Sequence, residues 1–192
     1  MSKPVRLDRA IVLDLEMTCW EGEVPAGERP EIIEIGIVEV NLRTLSLRRE
    51  GRYLVRPIAS RVSPYCTALT GLTWEEVRTG RPLTEVCRTL AKEFGGARTT
   101  WFAWGRDDEV LARQAATDGA VLPFSGPFLD LSLLHGMAFP DQHRTGLAAA
   151  CAHYGLDWQG RSHSALDDAR MTARVLMEML GRQRAAGARE TA

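Results

Sequence analysis

Residues 11–20 read Ile11-Val12-Leu13-Asp14-Leu15-Glu16-Met17-Thr18-Cys19-Trp20. Three apolar residues, two of them β-branched, lead into two carboxylates separated by a single leucine, which is the composition of a buried strand. Side chains two apart on a strand share a face, so Asp14 and Glu16 point the same way. Two acids on one face of an apolar strand repel each other and lose hydration, a cost that cations relieve. Either the strand ends here and both acids reach water, or they belong to a divalent-metal site. The rest of the chain decides between these two.

Its 192 residues suit one domain with one substantial core, expected over about residues 9–182 with short flexible termini. With 45% hydrophobic and 26% charged residues the composition is that of a globular protein. No apolar run approaches membrane-spanning length and Met1 to Arg9 contains no apolar signal core, so a soluble, cytoplasmic protein with no membrane partner is expected. Cys19, Cys66, Cys87 and Cys151 form no C-x-x-C pair, which argues against a zinc cage or redox motif and for reduced thiols. Cys19 reads either as a nucleophile beside the acids or, more commonly, as a small packed residue. A net charge of −1 excludes a strongly basic surface that coats nucleic acid. A nuclease whose metals meet the phosphate remains compatible with it.

Glu31 to Asn41, E-I-I-E-I-G-I-V-E-V-N, sets Ile33, Ile35 and Ile37 on one strand face, and Leu45 to Leu54 supplies a third strand of an antiparallel meander. Glu21 to Pro30 is the loop joining the first two strands. Ser63-Pro64 and Gly71 bracket a short helix, and Thr73 with Glu76 has capping-box spacing for the next. Leu83, Val86, Cys87, Leu90, Ala91 and Phe94 follow helical periodicity up to Gly95-Gly96. Thr99 to Trp104 is a strand, broken by Gly105 and followed by a helix whose first turn holds Asp107 and Asp108, where the helix dipole alone favours acids. Such strand-glycine-helix junctions often carry function in α/β sheets. Phe128 to Leu134 reads as a short strand or a helix entry, and Leu147 to Tyr154 as a helix stopped by Gly155. Ser164 to Arg182 forms a long helix with Leu166, Ala169, Ala173, Leu176, Met177 and Leu180 on one face, and Arg184 to Ala192 is expected to fray.

At the mouth of that last helix stands G-R-S-H-S-A-L-D-D-A-R, Gly160 to Arg170. Ser164 can cap the helix, His163 sits just before it and Asp168 lies one turn inside, so the imidazole and the carboxylate can face one site. His135, His143 and His153 lack an acidic neighbour pattern and read as surface or core residues.

In order and context, Asp14-Leu15-Glu16, Asp108 and His163 with Asp168 resemble the three motifs of the DnaQ-like DEDDh 3′→5′ exonucleases. The resemblance runs from about Arg9 to Leu180. E-I-I-E-I-G, Y-L-V-R-P with S-P-Y-C-T-A-L-T-G-L, and G-R-S-H-S-A-L-D-D-A-R are most similar to the subgroup of histone-mRNA and small-RNA 3′ exonucleases and bacterial KapD-like proteins. It implies an α/β, RNase H-like fold, with a central mixed five-stranded sheet flanked by helices. Two departures stand out: no additional nucleic-acid-binding module is expected before the domain, and the middle motif has adjacent aspartates, of which the family's glycine-x-x-Asp spacing selects Asp108.

Phosphodiester hydrolysis needs a nucleophile made from water and compensation of charge on a phosphorane-like transition state. Two Mg²⁺ or Mn²⁺ ions about 3.5–4 Å apart supply both and take hard oxygen ligands. The resemblance therefore implies Asp14, Glu16, Asp108 and Asp168 as ligands, with Asp14 bridging, and His163 as the group that takes the water's proton. It also implies that Met17, Thr18, Leu69 and Thr70 hold the terminal nucleotide. Trp20 and Trp104 read as base-stacking platforms or as core residues. The expected activity is a metal-dependent 3′→5′ exonuclease acting on the 3′ end of single-stranded RNA or DNA, RNA favoured, and releasing nucleoside 5′-monophosphates. Three alternatives stand beside it: a DNA-directed enzyme of repair or proofreading, oligoribonuclease-like degradation of short RNA, whose enzymes normally carry tyrosine at the place of His163, and a non-catalytic binding module on the same fold.

Overall fold

A computed structural model describes residues 6–95, 99–140 and 145–190. Strands β1 (Arg6–Met17), β2 (Ile32–Asn41) and β3 (Ser46–Leu54) are antiparallel neighbours, and β4 (Thr99–Ala103) and β5 (Phe128–Asp130) add in parallel on the other side of β1. The order β3-β2-β1-β4-β5 is the mixed five-stranded sheet that the resemblance implies. Among the described residues seven helices accompany it: α1 (Pro64–Thr70), α2 (Trp74–Val77), α3 (Leu83–Glu93), α4 (Asp107–Asp118), α5 (Leu131–Ala138), α6 (Leu147–Tyr154) and α7 (Ala165–Glu190). Among the described residues no helix is long and apolar enough to cross a membrane.

The central strand β1 is apolar on both faces because both are covered. Its odd-numbered residues Ile11 and Leu13 pack with Ile35 and Ile37 of β2, Val86 and Leu90 of α3, and Leu111 of α4. Its even-numbered residues Ala10 and Val12 pack with Val38, Val40 and the Ala169, Ala173 and Leu176 stripe of α7. Asp14 and Glu16 continue this even face, and α7 begins over them.

Two residues of β2 set where α7 begins. Gly36 pairs with Asp14, and a Cβ there would lie 2.0 Å from the Ala165 backbone, so the helix rests directly on the strand. Glu34 pairs with Glu16 and is buried; one of its oxygens accepts the Ala165 N–H at 2.8 Å and the other holds Arg52. An acid at a helix N-terminus is favoured by the helix dipole. The first turn of α7 is thereby fixed above the C-terminal half of β1.

The local signals around α1 and α2 act as their residue types predict. Ser63 accepts from the Cys66 N–H, Gly71 closes α1 at φ 79°, and Thr73 and Glu76 form a reciprocal capping box. Phe128 to Leu134 is both strand and helix entry: after three strand residues Asp130 turns the chain, its carboxylate accepting the Ser132 and Leu133 N–H groups at the start of α5. The last helix runs to Glu190 rather than ending near Arg182, as the Ala- and Arg-rich tail has good helix propensity. His143, Gly96 and the final two residues lie outside the described residues.

Gly36→Ala drives a methyl group into the Ala165 backbone and is expected to cost about 2–3 kcal/mol. Urea denaturation measures this, and a wild-type midpoint would refute the close approach of α7 to β2.

Candidate active site

Strand β1 delivers Asp14 and Glu16 to the sheet's even face, and α7 delivers Asp168 from its first turn. One ligand atom each from Glu16, His163 and Asp168 lies within 4.8 Å of the others. His163 has φ 61°, a left-handed conformation that a side-chain-bearing residue adopts only under constraint. The constraint is visible: its backbone N–H donates to Asp168 Oδ2 at 3.2 Å, and the preceding Arg161 N–H donates to Asp167 Oδ2 at 2.9 Å. The exposed His163 is thus turned back over the first turn of α7.

The middle acid arrives from the other side. Gly105, at φ 116°, reverses the chain after β4, and its N–H is held by Asp130 Oδ1 at 3.2 Å. Of the two aspartates that follow, Asp107 turns inward and raises the pKa of both Asp14 and Glu16 by its charge. Asp108 turns outward, where Arg106 grips it with two hydrogen bonds of 2.9 and 3.0 Å and holds its carboxyl below the usual range. The family spacing selects Asp108, whereas the structure sets Asp107 toward the acids of β1 and Asp108 toward Arg106.

Burial and mutual repulsion push the clustered carboxyls upward. Asp14 lies well above the ordinary carboxylate range, chiefly because it is buried and then because Asp107, Asp168, Glu16 and Glu34 surround it. Burial, with Asp168, Glu34 and Asp107 adding, pushes Glu16 to about 8. Asp107 rises to about 7, through burial and then the charge of Asp108. Asp168 rises to about 6 through burial, against the lowering effect of the His163 N–H. The Asp168 Oδ1 atom is buried without a hydrogen-bond partner. A hard-oxygen donor set, an orphaned carboxylate oxygen and carboxyls destabilised by one another fit divalent cations. Glu34, a buried acid in an isoleucine-rich strand, belongs to this group electrostatically but is committed to Arg52 and the start of α7. Its signal in the sequence was that same polar intrusion among isoleucines.

The expected nucleotide contacts are partly committed as well. Thr18 Oγ1 donates to Arg29 O at 3.2 Å and accepts the Glu31 N–H at 2.9 Å; Thr70 Oγ1 donates to Cys66 O and accepts the Leu72 N–H. Both hydroxyls are committed within the protein, and the Thr18 N–H donates to the Glu31 carbonyl at 2.8 Å. Met17 lines a cavity of about 430 Å³ with Arg29, Arg113 and Val110. Leu69 is half-buried, and its carbonyl accepts from Arg161 at 3.3 Å. Trp104 packs in the α7-side core, 5.8 Å from the His135 ring, and also lines a cavity of about 640 Å³ beside Arg106. Trp20 is half-buried. His135 is fully buried in an aromatic group with Phe139, His153 and Tyr154. Burial and the neighbouring Cys66 push the Cys19 thiol up to about 12, which makes it a poor nucleophile.

The profile of the exonuclease family (RNase_T) matches residues 11–176. The 3′-5′ exonuclease Snipper of Drosophila melanogaster is 31% identical over 88% of this chain and 68% of its own length. The probable 3′-5′ exonuclease KapD of Bacillus subtilis is 30% identical over 88% of this chain and 83% of its own. The chain spans about half the length of the mammalian 3′-5′ exoribonucleases it matches. The nuclease domain of 3′hExo, a DEDDh family member bound to rAMP, superposes with TM-score 0.79 at 28% identity, covering 91% of this chain and 92% of that one.

A carboxyl whose folded pKa lies above its unfolded value holds its proton more tightly in the fold, so ionisation erodes stability. For Glu16 this loss develops as pH rises from about 4.5 to about 8. In chelator-treated protein, Glu16→Gln is therefore expected to be near wild type at pH 5 and more stable by on the order of 2 kcal/mol at pH 8. Urea titrations at the two pH values test this, and a less stable variant at pH 8 contradicts it.

Proposed function

The chain belongs to the exonuclease family (RNase_T) as a 3′→5′ exonuclease domain, and we propose that it hydrolyses single-stranded nucleic acid, RNA favoured, from the 3′ end to nucleoside 5′-monophosphates. The observation that carries this reading is the convergence of Glu16, His163 and Asp168, with Asp14 beside Glu16 on β1 and Asp107 close enough to act on both by charge. The family implies divalent metal ions, and these four carboxylates are the proposed ligands of two Mg²⁺ or Mn²⁺ ions. When bound, such ions lower the pKa of a water molecule and offset charge on the transition state.

The chain's own groups perform the remaining tasks. An imidazole nitrogen of His163 takes the proton of the attacking water, a role supported by its reach to Glu16 and Asp168. Met17 and Thr18, together with the Leu69-Thr70 turn, form the wall that holds the terminal nucleotide. Arg113, beside Met17, offers positive charge to the nucleic-acid strand, while Arg29 is paired with Glu31. A near-neutral protein suits this arrangement, because only a few nucleotides need be gripped. The preference for RNA is supported by the relatives, several of which are exoribonucleases, and by the rAMP bound to the 3′hExo nuclease domain. A cytoplasmic setting belongs to the same proposal and agrees with four free cysteine thiols.

Incubation of 5′-labelled RNA and DNA oligomers with Mg²⁺ or Mn²⁺ should yield a ladder that shortens from the 3′ end, faster on RNA and abolished by chelator. No ladder under any of these conditions overturns the proposal. On the same substrates Asp107→Ala should lose on the order of 10²–10³-fold in kcat, whereas Asp108→Ala stays within about threefold of wild type. The reverse pattern would return the ligand role to Asp108.

A further inference from the structure

The segment Gly160 to His163 is held to α7 by its backbone, but one side chain carries it across to a different element. Arg161 donates through Nη2 to the carbonyl oxygens of Ala68, at 3.1 Å, and Leu69, at 3.3 Å, in the last turn of α1. Unsatisfied carbonyls and the negative end of the helix dipole make that terminus a favourable seat for a guanidinium. Gly71, the residue that closes α1, leaves room for it: a Cβ there would lie 1.9 Å from Arg161 Nη1. The segment is anchored on its other side too. The Arg161 N–H donates to Asp167, whose second oxygen binds Arg170 at 2.7 Å, and a Cβ on Gly160 would lie 2.3 Å from the Asp167 carboxyl carbon.

Helix α1 is in turn tied to the end of β1. Ser63 Oγ donates to the Cys19 carbonyl at 2.6 Å and Cys66 Sγ to the Met17 carbonyl at 3.5 Å. A chain of contacts therefore runs from Met17 through α1 and Arg161 to His163, whose left-handed backbone needs outside support to persist.

We propose that Arg161 is a positioning residue for hydrolysis: its guanidinium locks the His163 segment to the Leu69-Thr70-Gly71 turn, so that the proton acceptor and the terminal nucleotide share one rigid frame. This rests on the exonuclease reading above. Arginine suits the role better than lysine, since its planar fork reaches two carbonyls while lying flat against a glycine. A displacement of about 1 Å in a reacting group can cost on the order of 10²-fold in rate, so the clamp acts on kcat more than on binding.

The test compares wild type, Arg161→Ala, Arg161→Lys, His163→Ala and the Arg161→Ala/His163→Ala double variant on a 5′-labelled RNA oligomer. Hydrogen–deuterium exchange of metal-free wild type, Arg161→Ala and Arg161→Lys runs in parallel. Arg161→Ala is expected to lower kcat about 10–100-fold with KM changed less than about threefold. Added guanidinium ion should restore part of that loss. In the His163→Ala background the same substitution should change kcat less than about threefold, because the interaction it removes acts through His163. Exchange over residues 160–164 should quicken about tenfold or more, with the rest of the chain unchanged. Arg161→Lys should fall between, and it carries the comparison if the alanine variant does not fold. A loss that multiplies with that of His163→Ala, or exchange at 160–164 equal to wild type, overturns the proposal. An inactive wild type overturns the exonuclease reading instead, while the exchange measurement still judges the clamp.

Discussion

Four carboxyl groups crowd the end of β1 in a place where water screens them poorly, and much of the surrounding structure is explained by what it takes to keep them there. Isolated, such groups would protonate or move apart. Here the backbone keeps them from moving apart, so without a cation they hold their protons. Asp14 and Glu16 are fixed by strand pairing to Gly36 and Glu34, Asp107 by the glycine turn after β4, and Asp168 by the seat of α7 on β2. The fold thus holds a set of carboxyls whose ionised form is costly, and divalent cations are the natural partners that make it favourable.

That arrangement depends on positions with no chemistry of their own. Gly36 contributes only the absence of a side chain, yet it lets α7 descend onto the sheet. Glu34 is a carboxyl residue as buried as its neighbour Glu16, but its bonds to Arg52 and the Ala165 N–H make it a fastening. Asp130 combines two tasks, holding the Gly105 turn and capping α5. The acidic site thus rests on a shell of residues whose polar groups are satisfied, which is how a fold keeps one cluster of groups unsatisfied without coming apart.

Much of this was legible along the chain. The double-sided apolar character of Ile11 to Leu13, the meander, the capped α1 and α2 and the stripe of α7 follow from side-chain period and turn chemistry, because those signals act over a few residues. The two-residue spacing of Asp14 and Glu16 put both acids on one face, and the structure puts them there. Less legible was the fate of polar groups whose partners lie far away in sequence. Thr18 and Thr70 look like ligand-facing hydroxyls, but their bonds to the backbone around Arg29, Glu31, Cys66 and Leu72 take them out of that role.

The sequence by itself determined the elements, the mixed sheet that its family resemblance implies, and an acid pair joined by a histidine and an aspartate at a helix mouth. Only the tertiary structure shows that Asp107 lies toward the acids and Asp108 toward Arg106, that Glu34 serves the helix, and that Arg161 spans from the His163 segment to α1. The reason is rotational and long-range. A shift of one residue turns a helical side chain by about 100°, and nothing in a linear spacing rule records which way the helix faces until the sheet beneath it is in place.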